Sequence, residues 1–202
     1  GGNWIPLGNA FNGPVSDIVR LTNGDLMACG NFTAVGSVTA RQVARWTGTA
    51  WSAANTSGPS GGTVSRLAVL ASGDVVACGD FRAMAGTKSM LARNAGGTSW
   101  FDMGVPAPTT ATTDLFFLRA DAMTLFNGDL IVGGYFTTVG GTGVSGVARW
   151  NVATGEALDM VSTSPGGGTV YRALAIPGQL RFLVCAWEGE YRTLPFSPTA
   201  GR

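Results

Sequence analysis

Apolar and polar residues alternate with a period of two along four stretches of the chain: VSDIVRL at 15–21, VSRLAVL at 64–70, RADAMTL at 119–125 and VYRALAI at 170–176. Side chains on a strand point to opposite faces in turn, so each stretch predicts a half-buried strand. Each is followed by a turn pair, Asn23-Gly24, Ser72-Gly73, Asn127-Gly128 and Pro177-Gly178, and then by a nearly continuous apolar run: DLMACGNF, DVVACGDF, DLIVGGYF and the divergent QLRFLVCAW. Asn-Gly between two such runs is a hairpin signal, because a two-residue turn asks for positive φ at both positions. Third strands are predicted at VARW ending at Trp46, LARN ending at Asn94, VARW ending at Trp150 and EYRTLPF from Glu190. Outer strands are predicted at WSAAN from Trp51, WFDMG from Trp100 and ALDMV from Ala157. No helical period occurs.

The turn glycines Gly24, Gly73, Gly128 and Gly178 are 49, 55 and 50 residues apart. A period near 50 residues with four strands per unit is the pattern of a β-propeller blade. The expected architecture is one all-β domain over 1–202, with blades at about 15–55, 64–104, 118–161 and 169–195. The fourth unit ends in SPTAGR without an outer strand of its own, whereas Trp4-Ile5-Pro6-Leu7-Gly8 has the form of Trp100-Phe101-Asp102-Met103-Gly104 and lacks a unit. Strand 4–8 is therefore expected to complete the fourth blade and close the ring as a clasp. The alternative is half of an eight-bladed ring, or an excerpt of a longer propeller.

Charge refines this picture. Counting seven residues back from the turn glycines gives Asp17, Arg66 and Asp121, and allowing for one shorter turn in the fourth unit gives Arg172. First strands line the channel of a propeller, so these four predict a salt-bridge ring that plugs it, or a channel that binds a small zwitterion or ion. Lys88 is the only lysine among 13 basic residues. Arg45, Arg93, Arg149 and Arg192 hold one place in the repeat and Asp25, Asp74 and Asp129 another, which predicts an arginine–aspartate bond inside each blade. A net charge of +1 gives no electrostatic case for nucleic acid.

Cys29, Cys78 and Cys185 share one register, filled by Gly133 in the third unit. Equivalent places on neighbouring blades lie too far apart for a disulfide, so these are read as small buried residues, and no metal or cofactor is expected. The chain has no histidine. That removes Ser-His-Asp and Cys-His nucleophile systems and most zinc sites. Asp25, Asp74, Asp129, Asp17 and Asp121 are already assigned to structural roles. Asp80, Asp102, Asp114, Glu156, Asp159, Glu188 and Glu190 remain scattered, so a two-carboxylate glycosidase is a remote alternative and no catalytic residue is assigned. No apolar run reaches the length of a membrane-spanning helix. Beginning with Gly-Gly and no signal-like segment, the chain reads as processed, tagged or excerpted from a longer protein.

The units resemble the kelch-like propeller repeats, of the form W-x-x-L-G, N-G-D-L-x-x-G-G-x-F-T and A-R-W, of bacterial exported proteins, phage structural proteins and Rax2-type fungal surface proteins. The first and third units fit best, with Phe32-Thr33, Ala44-Arg45-Trp46, Phe136-Thr137 and Ala148-Arg149-Trp150. The second departs at Arg82 and Asn94. The resemblance implies a propeller used for display and contact, placed on a virion or an exported surface. Expected partners are other structural proteins of an assembly, further copies of the chain, or a glycan or receptor. Loops on a rigid scaffold are where contact accumulates. The candidates are the insertion 105–117, with Val105, Pro106, Pro108, Thr109 and Thr110, and the stretch 140–146, expected to be flexible, with Gly141 and Gly143. Trp187 is the one tryptophan off the repeat pattern. Two readings result: a non-enzymatic structural or display module, and a glycan- or receptor-binding module.

Overall fold

The computed structural model describes residues 3, 5–82, 88–103, 119–136, 138–139, 142–143, 146–152, 157–158, 170–175, 181–186 and 191–195. These residues are all-β, with no helix among them. The chain divides into two compact units, Gly1–Met103 and Gly104–Arg202.

In the Gly1–Met103 unit the first sheet contains β1 (Val15–Arg20), β2 (Leu26–Gly30), β5 (Val43–Trp46) and β6 (Trp51–Ala53), antiparallel in that order, with the small hairpin β3 (Ala34–Val35) and β4 (Val38–Thr39) inserted between β2 and β5. The second sheet runs β7 (Ser60–Val69), β8 (Val75–Arg82), β9 (Lys88–Asn94) and β10 (Phe101–Asp102). In the Gly104–Arg202 unit the third sheet runs β11 (Arg119–Phe126), β12 (Asp129–Tyr135), β15 (Val147–Asn151) and β16 (Ala157–Leu158), with the hairpin β13 (Thr138–Val139) and β14 (Thr142–Gly143) inserted after β12. The fourth has three strands among the described residues, β17 (Val170–Ala175), β18 (Arg181–Ala186) and β19 (Tyr191–Pro195). The strand order predicted from the repeat is thus present in each sheet. The expected strand at 4–8 pairs with no strand among the described residues, and Ile5 is 85% exposed.

The turns differ in a way the dipeptides hide. In the third sheet Asn127 (φ 50) and Gly128 (φ 85) form the expected two-residue turn, directly joining the Phe126–Asp129 pair. In the first, only Gly24 takes positive φ, the Leu21 carbonyl accepts from Gly24 N–H at 3.0 Å, and the loop is one residue longer. Leu70 and Gly73 repeat that geometry at 2.9 Å in the second sheet. This is the three-residue hairpin, in which the glycine follows a type I turn.

The second strands β2, β8 and β12 are buried on both faces, which explains their continuous apolar runs. Met27 and Cys29 of β2 pack with Val43, Val64, Leu67, Val75, Phe81 and Trp100, so the first two sheets share this core. Ala28 points the other way, to Phe32, Val35, Ala44 and Trp51. There Phe11 stands edge-on to Phe32 at 4.7 Å and to Trp51 at 4.8 Å. Such pairs contribute about 1 kcal/mol each beyond the area they bury.

Candidate functional site

Each inner strand carries a β-bulge near its start. Val15 pairs Gly30 and Asp17 pairs Cys29; Val64 pairs Gly79 and Arg66 pairs Cys78; Ala120 pairs Gly134 and Ala122 pairs Gly133; Val170 pairs Ala186 and Arg172 pairs Cys185. The residues sharing one register are therefore Asp17, Arg66, Ala122 and Arg172. Asp121 is not among them: it is the extra residue of its bulge, and its Oδ2 accepts from Arg119 Nε at 2.6 Å. The count back from Gly128 falls one residue off because the third turn is one residue shorter than the first two. The alternation of charge expected around the ring is broken at Ala122.

Asp17 and Arg66 bond to one another's strand rather than to each other. Asp17 Oδ2 accepts from Leu67 N–H at 3.0 Å and Oδ1 from Ile18 N–H at 2.9 Å, while Arg66 Nη1 donates to the carbonyls of Ser16 at 3.2 Å and Ser65 at 2.9 Å. The side chain of Arg172 lies outside the described residues. Behind this row Cys29 and Cys78 are fully buried, and burial, with the Asp17 charge second, pushes the Cys29 thiol well above its usual range.

The arginine–aspartate bonds occupy the predicted places. Arg45 reaches Asp25 Oδ2 through Nε and Nη2, each at 2.7 Å. Arg93 Nε meets Asp74 at 2.7 Å and Arg149 Nε meets Asp129 at 2.6 Å, with a second guanidinium nitrogen of each on the same oxygen. The hydrogen bonds from Arg45 and then Asn23 hold the Asp25 carboxyl below the usual carboxylate range.

A second repeated contact ties successive units. Trp51 Nε1–H donates to the Leu7 carbonyl at 2.7 Å, and Trp100 Nε1–H donates to the Ala54 carbonyl at 2.8 Å. Leu7 and Ala54 each stand three residues after the tryptophan of a W-x-x-x-[GN] segment, Trp4 and Trp51. Leu7 is thus placed against the first sheet as Ala54 of the first is placed against the second.

Of the expected contact residues, Val105, Pro106, Pro108, Thr109, Thr110, Gly141 and Trp187 lie outside the described residues. Gly143 is described, and the stretch expected to be flexible contains a ladder there, Gly143 pairing Thr138. One polar feature escaped the sequence reading. Arg41, before β5, and residues 55–60, running from the end of β6 into the first residue of β7, line a cavity of about 210 Å³, open to solvent on one side, at one end of the first sheet. The signal was a departure from the repeat: Ser89 and Ser145 stand where Arg41 stands, two residues before the third-strand partners of Cys78 and Gly133. Among the described residues no three His, Cys, Asp or Glu side chains are grouped to hold a metal ion, and no helix is long and apolar enough to cross a membrane.

No family model and no curated protein match the chain. It is similar in fold to PorZ, described as an essential bacterial surface component of the type-IX secretion system of Porphyromonas gingivalis, at 16% identity and a TM-score of 0.56 over 97% of this chain and 28% of that one. It is also similar to the extracellular domain of BT4673 from B. thetaiotaomicron, at 10% identity and a TM-score of 0.52 over 90% of this chain and 20% of that one. A streptogramin B lyase is 12% identical with a TM-score of 0.46, too weak a likeness to bear on fold or activity. The chain spans less than a third of the first two structures, whose likeness at these identities is one of fold alone: this is an all-β repeat protein of antiparallel sheets.

Proposed function

We propose that the chain is a kelch-like β-propeller of four blades, closed by its N-terminal segment, and that it serves as a non-enzymatic display and contact module on an exported surface or a virion. The observation that carries the ring is the tryptophan-to-carbonyl contact. Leu7 occupies the place of an outer-strand residue from a preceding blade, and the fourth sheet has three strands among its described residues. The contact role draws support from how polar side chains are used. Asp25, Asp74 and Asp129 are committed to arginines and Asp17 to a backbone N–H, so the repeat's acids serve the frame. In the first sheet the connection from β2 to β5 and the one from β6 to β7 leave at the same end, as the antiparallel order requires, so loops gather there on a fixed frame. That PorZ is named a surface component and BT4673 contributes an extracellular domain fits an exported location.

The test is antibody labelling of intact, unpermeabilised producing cells and of any particles they release. Labelling of the outer surface or of particles is the expected result. A signal seen only after permeabilisation would overturn the placement.

A further inference from the structure

Arg41 is exposed and pairs with no carboxylate among the described residues, unlike Arg45, Arg93 and Arg149, which the repeat places beside its aspartates. The wall facing it is built and fixed. Asn55, 7% exposed, donates both amide hydrogens, to the Arg41 carbonyl at 2.8 Å and the Pro59 carbonyl at 2.7 Å. Thr56 N–H donates to the Thr98 carbonyl at 3.0 Å and Trp100 N–H to the Ser57 carbonyl at 3.1 Å. Gly58 lies so close on Trp100 that a Cβ there would stand 2.6 Å from its side chain. A connection held at so many points is ordered before any ligand arrives, which lowers the entropic cost of binding.

The chemistry offered into the cavity is specific. With both Asn55 hydrogens used, its Oδ1 remains an acceptor, and the Ser57 and Ser60 hydroxyls donate or accept. The Arg41 guanidinium is a planar fork matched to a carboxylate. A volume of about 210 Å³ holds roughly seven waters at about 30 Å³ each, room for one sugar ring. A peptide C-terminus would need an apolar recess for its last side chain, and here Pro59 is the sole apolar side chain of the wall. We propose that this cavity binds a carboxylated monosaccharide of the uronate type, its carboxylate on the Arg41 fork and its ring hydroxyls on Asn55 Oδ1 and the two serines. The site goes beyond the display role proposed above and is independent of ring closure, since every residue of it lies in the Gly1–Met103 unit.

The experiment is titration of the full chain, by calorimetry and amide chemical-shift changes, with D-glucuronate and D-galacturonate, and with D-glucose, acetate and an acetylated dipeptide as controls. At least one uronate should bind saturably with Kd in about the millimolar range. Arg41→Gln should weaken it about tenfold or more while leaving the thermal unfolding midpoint unchanged, and Arg41→Lys should recover part of the loss. Absence of binding by both uronates would overturn the proposal. Equal binding of glucose, acetate or the dipeptide, or an Arg41→Gln variant that binds like the wild type, would do the same.

Discussion

At the scale of the residue, the same ion pair has different weight in different sheets because its surroundings differ. The Arg149 and Asp129 side chains are 11% and 10% exposed, whereas Arg45 and Asp25 are 30% and 17% exposed. Removing one partner of a buried pair leaves an uncompensated charge, at a cost of about 3–5 kcal/mol, while exposed pairs are screened by water. Asp129→Ala should therefore lower the unfolding free energy by about 3 kcal/mol in denaturant titration, and Asp25→Ala by far less. Asp25 also predicts a pH dependence. Its folded carboxyl is held below the unfolded one, so its contribution is full above the unfolded value, near about 4, and is lost as pH falls through the folded value. Thermal unfolding of wild type and Asp25→Asn should converge below about pH 4 and separate above it.

At the scale of the element, the repeated glycine after the cysteine register answers to the bulge. A Cβ at Gly30, Gly79 or Gly134 would stand 2.1 Å from the carbonyl oxygen of Pro14, Thr63 or Arg119 on the inner strand. These are backbone atoms, so the strand itself must shift. Gly79→Ala should cost about 2 kcal/mol or more, read as a fall of roughly 4–8 °C in the unfolding midpoint of a chain this size. The fourth unit carries Ala186 at this place opposite Val170, in keeping with its divergent sequence. The strand set and its order were legible in the sequence, since period-2 runs and turn glycines are local signals. The length of each turn was not, because Asn23-Gly24 and Asn127-Gly128 are the same dipeptide and the residues around them decide the hairpin. That one-residue difference moved Asp121 out of the row where counting had placed it.

At the scale of the whole molecule, the N-terminal segment is where the proposed ring is most exposed to test. Leu7 supplies the carbonyl that takes the Trp51 indole, and Phe11 packs edge-on to Phe32 and Trp51. Light scattering on the full chain should give a monomer near 20.7 kDa, and removal of residues 1–10 should leave a chain that aggregates or loses its cooperative transition. A dimer unaffected by the deletion would sink the clasp.

By itself the sequence determined that this protein is built of β-strand units, where their strands fall and which arginine meets which aspartate, because alternation, turn residues and register are carried by neighbours along the chain. Only the tertiary structure decided that Asp17 binds the Leu67 N–H rather than the Arg66 side chain. It alone set Ala122 in the place counted to Asp121 and gathered Arg41 with Asn55, Ser57 and Ser60 around one cavity. Those outcomes depend on bulges, turn lengths and the approach of segments distant in sequence, and no local pattern records the distances between them.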